Sequence, residues 1–95
     1  MHKNSEVAKV LYKIADLLEI QNVQWKPQAY RKAAQSVESY PEDISEAMKE
    51  GKLKDVPGVG EHIAQKIEEY LKTGKLLYFE KLKKEMPVAE ELFHL

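Results

Sequence analysis

A chain of 95 residues can bury one modest core and not a second of independent stability, so a single domain is expected. The absence of cysteine excludes a disulfide framework and a thiolate metal site, and His2, His62 and His94 are scattered without ligand spacing. Fifteen basic and 16 acidic residues give a formal charge of −1, which by itself provides no attraction to a polyanion.

In the first segment Val7, Val10, Leu11, Ile14, Leu17 and Leu18 recur at spacings of three and four, which predicts one helical stripe with Asn4 or Ser5 as its cap. A polar link, 21–26, leads to Pro27, suited to the first turn of a second helix carrying Ala29, Tyr30, Ala33, Ala34 and Val37 and ended by Tyr40-Pro41. Asp43 caps a short third helix through Ile44, Ala47 and Met48, and Gly51 offers the left-handed residue that closes it. A fourth helix is expected from about Glu61 to Thr73, stopping at Gly74. A last one runs from about Lys75 to Glu85 with Leu76, Leu77, Phe79 and Leu82 as its apolar positions and Pro87 limiting its extension. No stretch alternates in the manner of a strand, so the fold class is all-α, four to five short helices, over residues 1–87, with 88–95 as a tail.

Charge is segregated along this chain. Residues 22–36 contain Lys26, Arg31 and Lys32 and no acid, whereas 37–51 contain five acids against Lys49, so a neutral protein can still carry a basic face. No stretch approaches the roughly 20 apolar residues of a membrane span, and the N-terminus lacks the apolar run of a signal peptide. The expectation is a monomeric protein that avoids membranes and works inside the cell, in prokaryotic cytoplasm or a eukaryotic nucleus.

Residues 53–63 read Leu-Lys-Asp-Val-Pro-Gly-Val-Gly-Glu-His-Ile, a short helical turn, a tight loop and a helix start. Gly58 and Gly60 lack a Cβ, so the loop can take positive φ and let a phosphate oxygen approach main-chain N–H groups. The helix beginning at Glu61 aims further free N–H groups and its positive dipole end at the same place. Such contacts, at Gly58, Val59 and Gly60, carry no base information and predict DNA binding that tolerates any sequence. The plainer alternative is that Pro-Gly-Val-Gly is only a turn between helices. The run 56–60 followed by Ile63-Ala64 and Ile67 resembles the helix-hairpin-helix pattern, here at about 53–73.

Taken together, Ala29-Tyr30-Arg31-Lys32-Ala33-Ala34, Tyr40-Pro41, the hairpin with Ile63-Ala64-Gln65-Lys66-Ile67, and Thr73-Gly74-Lys75-Leu76 resemble the N-terminal 8-kDa domain of family X DNA polymerases, the DNA polymerase beta group. The resemblance spans residues 4 to about 87. It implies binding at the 5′-phosphate side of gapped or nicked DNA in base excision repair and, in some members, 5′-deoxyribose-phosphate lyase activity. Lys66 matches the lysine that forms the Schiff base; Lys26, Tyr30 and Lys54 match positions that hold the 5′-phosphate. The main-chain carbonyls of Lys54, Val56 and Val59 match those that bind a monovalent cation, Na or K; the lyase chemistry itself requires no cofactor.

Helix geometry adds one reading without the family. Ile63, Ile67, Tyr70 and Leu71 form an apolar stripe, with Lys66 at its boundary, where a lysine is partly desolvated, and Lys72 opposite, fully solvated. Snorkelling over an apolar stem is the ordinary use of such a boundary lysine.

The chain departs from the best-known relatives in having His62 where they carry a lysine and Trp25 where they carry a histidine. An uncharged imidazole at 62 adds a hydrogen bond to the phosphate pocket but little charge. Trp25 can stack on a base or sugar at the gap, or serve as a core or domain contact. Gln65 stands where some relatives place an acid. Tyr30 reads equally as a phosphate-facing rim residue and as a helix-packing one, and Arg31 as a DNA-backbone contact or solvated charge.

The Gly-Ser and Asp-x-Asp motifs of the family's polymerase palm are absent, so these 95 residues do not polymerise, and 90–95 resemble the start of the family's continuation into a following domain. The alternatives to a lyase domain are a non-catalytic DNA-binding module that positions a polymerase domain and a helical protein-interaction module.

Overall fold

The structure, a computed structural model, describes residues 2–85; the Pro87 stop and the 88–95 tail lie outside the described residues. Among the described residues there are five α-helices and no strand: α1 His2–Ile20, α2 Lys26–Glu38, α3 Ile44–Lys49, a 3-10 turn Leu53–Asp55, α4 Glu61–Thr73 and α5 Leu77–Lys84. The all-α class read from periodicity is the class observed. None of these helices is long and apolar enough to cross a membrane.

The core forms where α1 packs along α2, with α3, α4 and α5 each touching α1 as well. Val7, Ala8, Leu11, Ile14, Ala15 and Leu18 supply the α1 face, and Val10 and Leu17 lie at its edge. Ala33, Ala34 and Val37 face them from α2, where the two small residues let the helices approach closely. Burying each Leu, Ile or Val contributes about 1.5–3 kcal/mol, so this seam is the main stabilising contact. Ala29, one of the apolar positions read for α2, is exposed because it lies off the buried α2 stripe.

Asn4 departs furthest from the expectation of a cap. It is not the cap of α1 but lies within it, 1% exposed. Its amide nitrogen donates to the carbonyls of Val37 at 3.2 Å, Tyr40 at 3.4 Å and Glu42 at 2.8 Å. Its oxygen accepts the Ile44 N–H at 2.8 Å, one of the donors that the start of α3 leaves without an intrahelical partner. A local cap is worth about 1 kcal/mol, whereas this single amide serves four backbone groups between Val37 and Ile44.

Helix ends follow local chemistry. Asp43 caps α3 by accepting the Ser45 N–H at 2.8 Å. Gly51, at φ +69, closes α3 with Gly51 N–H to Met48 and Lys52 N–H to Ala47, the paired bonds of a left-handed stop. Asn22, at φ +62, ends α1 in the same way, with its own N–H to Glu19 and that of Val23 to Leu18. Gly74 at φ +77 ends α4, and its N–H bonds the Tyr70 carbonyl at 2.8 Å. Of the paired leucines at the start of α5, Leu76 is buried and Leu77 is 73% exposed, so 77 is not the core position expected of it. The Leu77 N–H is instead taken by the Glu69 carboxylate at 2.8 Å, which anchors the start of α5 to α4.

Candidate nucleic-acid interface

The hairpin is a type II turn. The Val56 carbonyl accepts the Val59 N–H at 3.0 Å, Pro57 fills the position that favours its fixed φ, and Gly58 takes the position that needs positive φ, at +82°. Val56 and Val59 are buried and fasten the loop to the core. Gly58 also lies close to α2: a Cβ there would stand 3.1 Å from Lys32 Cγ and 3.5 Å from the Ala33 nitrogen. Gly60 differs from the expectation of positive φ. It is extended, at φ −90° and ψ −171°, and a Cβ there would meet nothing within 4 Å. One glycine is therefore required by the turn, and the other leaves open space at the start of α4.

That helix start carries no side-chain cap. Its first main-chain bond runs from the Ala64 N–H to the Gly60 carbonyl at 2.8 Å, so the N–H groups of Glu61, His62 and Ile63 have no intrahelical partner. Together with the dipole they favour an anion, and the exposed Glu61 carboxylate beside them opposes one.

Beside it, α2, α4 and α5 enclose a cavity of about 340 Å³ lined by Lys26, Ala29, Tyr30, His62, Ile63, Lys66 and Tyr78. Lys26, Tyr30, His62 and Lys66, four residues picked out in the sequence, thus share one cavity although 40 positions separate the first from the last. Tyr30 is buried at 6% exposure and its ring stacks on Tyr78 with centroids 6.3 Å apart and planes at 17°, so packing and lining are both its role. Burial, with a smaller effect of Tyr78, pushes the Tyr30 phenol well above its ordinary value. Burial and then Glu85 raise Tyr78 too, so both phenols remain donors. Lys66 is half-buried at the boundary where the helical wheel puts it. Burial first, and the charge of Lys26 second, lower its pKa below the ordinary lysine value, with Glu69 opposing. Its Nζ stands 4.7 Å from the centre of the Tyr78 ring.

Tyr78 went unread in the sequence because the Leu76, Leu77, Phe79 and Leu82 pattern ran around it. Its i, i+4 relation to Leu82 was the available signal, since it puts Tyr78 on the buried face of α5.

The other site residues lie elsewhere. Lys54 is exposed on the 3-10 turn and borders a groove with Met48, Leu53, Ala64 and Glu68, on the flank of α4 opposite Lys66. Arg31 does not enter the cavity: its Nη2 donates to Asp16 at 3.1 Å and to Glu19, so α1 already compensates its charge. Trp25 precedes α2 at φ +71° and ψ −42°, with the Gln24 carbonyl accepting the Lys26 N–H at 2.8 Å around it. This is a γ-turn of the rare positive-φ kind, a conformation that costs about 1–3 kcal/mol. The turn leaves the indole 82% exposed beside Lys26, at the edge of a second cavity of about 410 Å³ that Arg31 and Gln28 also line. The core role weighed for Trp25 is thereby excluded.

Of the three carbonyls expected to hold a monovalent cation, those of Lys54 and Val56 retain acceptor capacity. The Lys54 carbonyl would be next in the 3-10 series to accept, but the residue three positions on is Pro57, which has no N–H. The Val56 carbonyl accepts one bond and retains a lone pair. Among the described residues no group of three or more His, Asp or Glu side chains could hold a metal ion.

The hairpin thus presents main-chain donors at the start of α4 beside a lysine-lined cavity. Residues 2–76 match the family model described as a helix-hairpin-helix domain, and the chain belongs to that family. Domains of this family generally bind DNA.

Proposed function

We propose that this chain binds gapped or nicked DNA at its 5′-phosphate side, without regard to sequence, as the N-terminal domain of a family X DNA polymerase acting in base excision repair. The observation that carries the proposal is the convergence of Lys26, Tyr30, His62 and Lys66 on one cavity next to the uncapped start of α4. Lys26 and the His62 imidazole take the 5′-phosphate, with the Tyr30 phenol as donor. Main-chain groups at Gly58, Val59 and Gly60 grip the backbone beyond it, and a monovalent cation on the Lys54, Val56 and Val59 carbonyls supplies positive charge there. Trp25 offers a stacking surface at the gap. Lys54, on the opposite flank, contributes to backbone affinity rather than to the 5′-phosphate pocket.

Lys66 is the lyase nucleophile in this reading. Its neutral amine attacks the C1′ aldehyde of the abasic sugar, and the carbonyl oxygen leaves as water to give an iminium. Loss of a C2′ proton then breaks the C3′–O bond and expels the downstream strand with its 5′-phosphate, and hydrolysis of the remaining imine returns the amine. Among the described residues no carboxylate lines the cavity, so in this reading the C2′ proton passes to the His62 imidazole or to water. The depressed Lys66 pKa supports the amine's role, because a larger fraction is unprotonated.

Borohydride trapping on a 5′-incised abasic duplex tests the chemistry. The expected product is a covalent adduct lost in Lys66→Ala; an adduct that survives the substitution removes Lys66 from this role. That the described residues bring no carboxylate to the cavity favours one second reading, a non-catalytic module that positions a polymerase domain. It gives no adduct, yet retains salt-sensitive preference for 5′-phosphorylated gaps that Lys26→Ala abolishes. Equal affinity with and without the 5′-phosphate would count against both.

A further inference from the structure

We infer that Tyr78 is a positioning residue for Lys66: braced by Tyr30 from another helix, its ring face seats the Lys66 amino group at the wall of the cavity. This rests on the reading of Lys66 as the reacting amine.

The geometry has two parts. Lys66 Nζ lies 4.7 Å from the Tyr78 ring centre, inside the roughly 6 Å range in which a ring face attracts an ammonium. The ring itself is held, because it stacks on Tyr30, whose side chain is buried against the core. A lysine stem has four rotatable carbons and loses much freedom when fixed for reaction. A seat formed by α5 and braced by α2 removes part of that loss before substrate arrives. Among the other lining side chains, Lys26 repels the amine, and Ala29 and Ile63 offer it no polar or aromatic face.

The charges around the amine fix the sign of the effect. Lys26 and Tyr30 face it from α2, His62 and Glu69 flank it on α4, and Tyr78 covers it from α5. Burial and Lys26 favour the neutral amine, and Glu69 favours the ammonium. The electron-rich ring face also favours the ammonium. Removing the face while keeping the bulk should therefore lower the Lys66 titration midpoint, whereas a side chain that merely fills space would leave it in place.

The test uses the intact chain with Tyr78→Met, Tyr78→Leu and Tyr78→Phe, and follows the Lys66 side-chain resonances by NMR as pH rises. Met and Leu are expected to move the midpoint down by about half to one pH unit, and Phe, which keeps the face, to restore it. In single-turnover release of the sugar phosphate, Met and Leu should lower the high-pH plateau by about threefold to tenfold through loss of orientation, with Phe again restoring it. A midpoint in Met and Leu that is unchanged or raised overturns the inference, as does a Phe variant that behaves like Leu. The titration needs no turnover, so a chain without lyase activity overturns the reading of Lys66 as nucleophile while the NMR result still decides whether the ring seats the amine.

Discussion

Alanine at Gly58 and at Gly60 should have opposite consequences, although the two residues are separated by one position in the same loop. Gly58 sits at φ +82°, where an L side chain costs about 1–2 kcal/mol. Its Cβ would also stand 3.1 Å from Lys32 Cγ, so the Lys32 stem must give by a few tenths of an ångström. Against this, alanine restricts the unfolded chain, a gain of about 0.4–1 kcal/mol. The net expectation for Gly58→Ala is a loss of about 1 kcal/mol, or about 4–8 °C in melting temperature for a domain of this size. At Gly60 alanine fits the extended backbone and meets nothing within 4 Å. The same restriction of the unfolded chain offsets the roughly 0.5–1 kcal/mol lost when alanine replaces glycine at an N-cap, and stability should stay within about 0.5 kcal/mol. The methyl, however, stands in the open space where a phosphate would approach the α4 start. Affinity for gapped DNA should fall about fivefold to tenfold, equivalent to about 1–1.4 kcal/mol. Circular dichroism melts and fluorescence anisotropy with labelled, gapped, 5′-phosphorylated DNA measure the two quantities separately. Equal thermal losses in both variants, or unaltered DNA affinity in Gly60→Ala, would refute the division of labour between the glycines.

Three further outcomes follow from the side-chain network. Asn4→Ala removes the donor to the Val37, Tyr40 and Glu42 carbonyls and the acceptor of the Ile44 N–H, and urea unfolding should register a loss of about 2–4 kcal/mol. Arg31→Ala should lower the melting temperature slightly through its lost pairs with Asp16 and Glu19, yet leave the salt dependence of DNA binding as it was, because that charge is already compensated. Glu61→Gln removes the one carboxylate in the first turn of α4 and should tighten DNA binding about twofold to threefold at low salt, with the gain shrinking as salt rises.

Local chemistry made much of this legible in the sequence. The three-four spacing from Val7 to Leu18, Pro27 at a helix start, the Asp43 cap and the left-handed Gly51 and Gly74 each act within a few residues, and each appears in the structure. Lys66 at the edge of its stripe was likewise a matter of one helix and its pitch. What escaped depends on which helices meet. Asn4 looked like a cap because its partners, 33 to 40 positions away, exert no influence on local pattern. Arg31 looked available because the carboxylates that bind it lie on α1, and Tyr78 looked incidental because its two contacts come from α2 and α4. Lys54 follows the same rule: its place in the chain was clear, but the 3-10 turn sets which flank of α4 it borders.

The turn that pushes Trp25 into solvent gives the protein a built-in optical reporter. It is the sole tryptophan of the chain, and because it is 82% exposed in the folded protein its emission should change little on unfolding. A nucleobase laid against the indole would quench it. Excitation selective for tryptophan would therefore follow occupancy next to Lys26 almost free of any folding signal, without an attached dye.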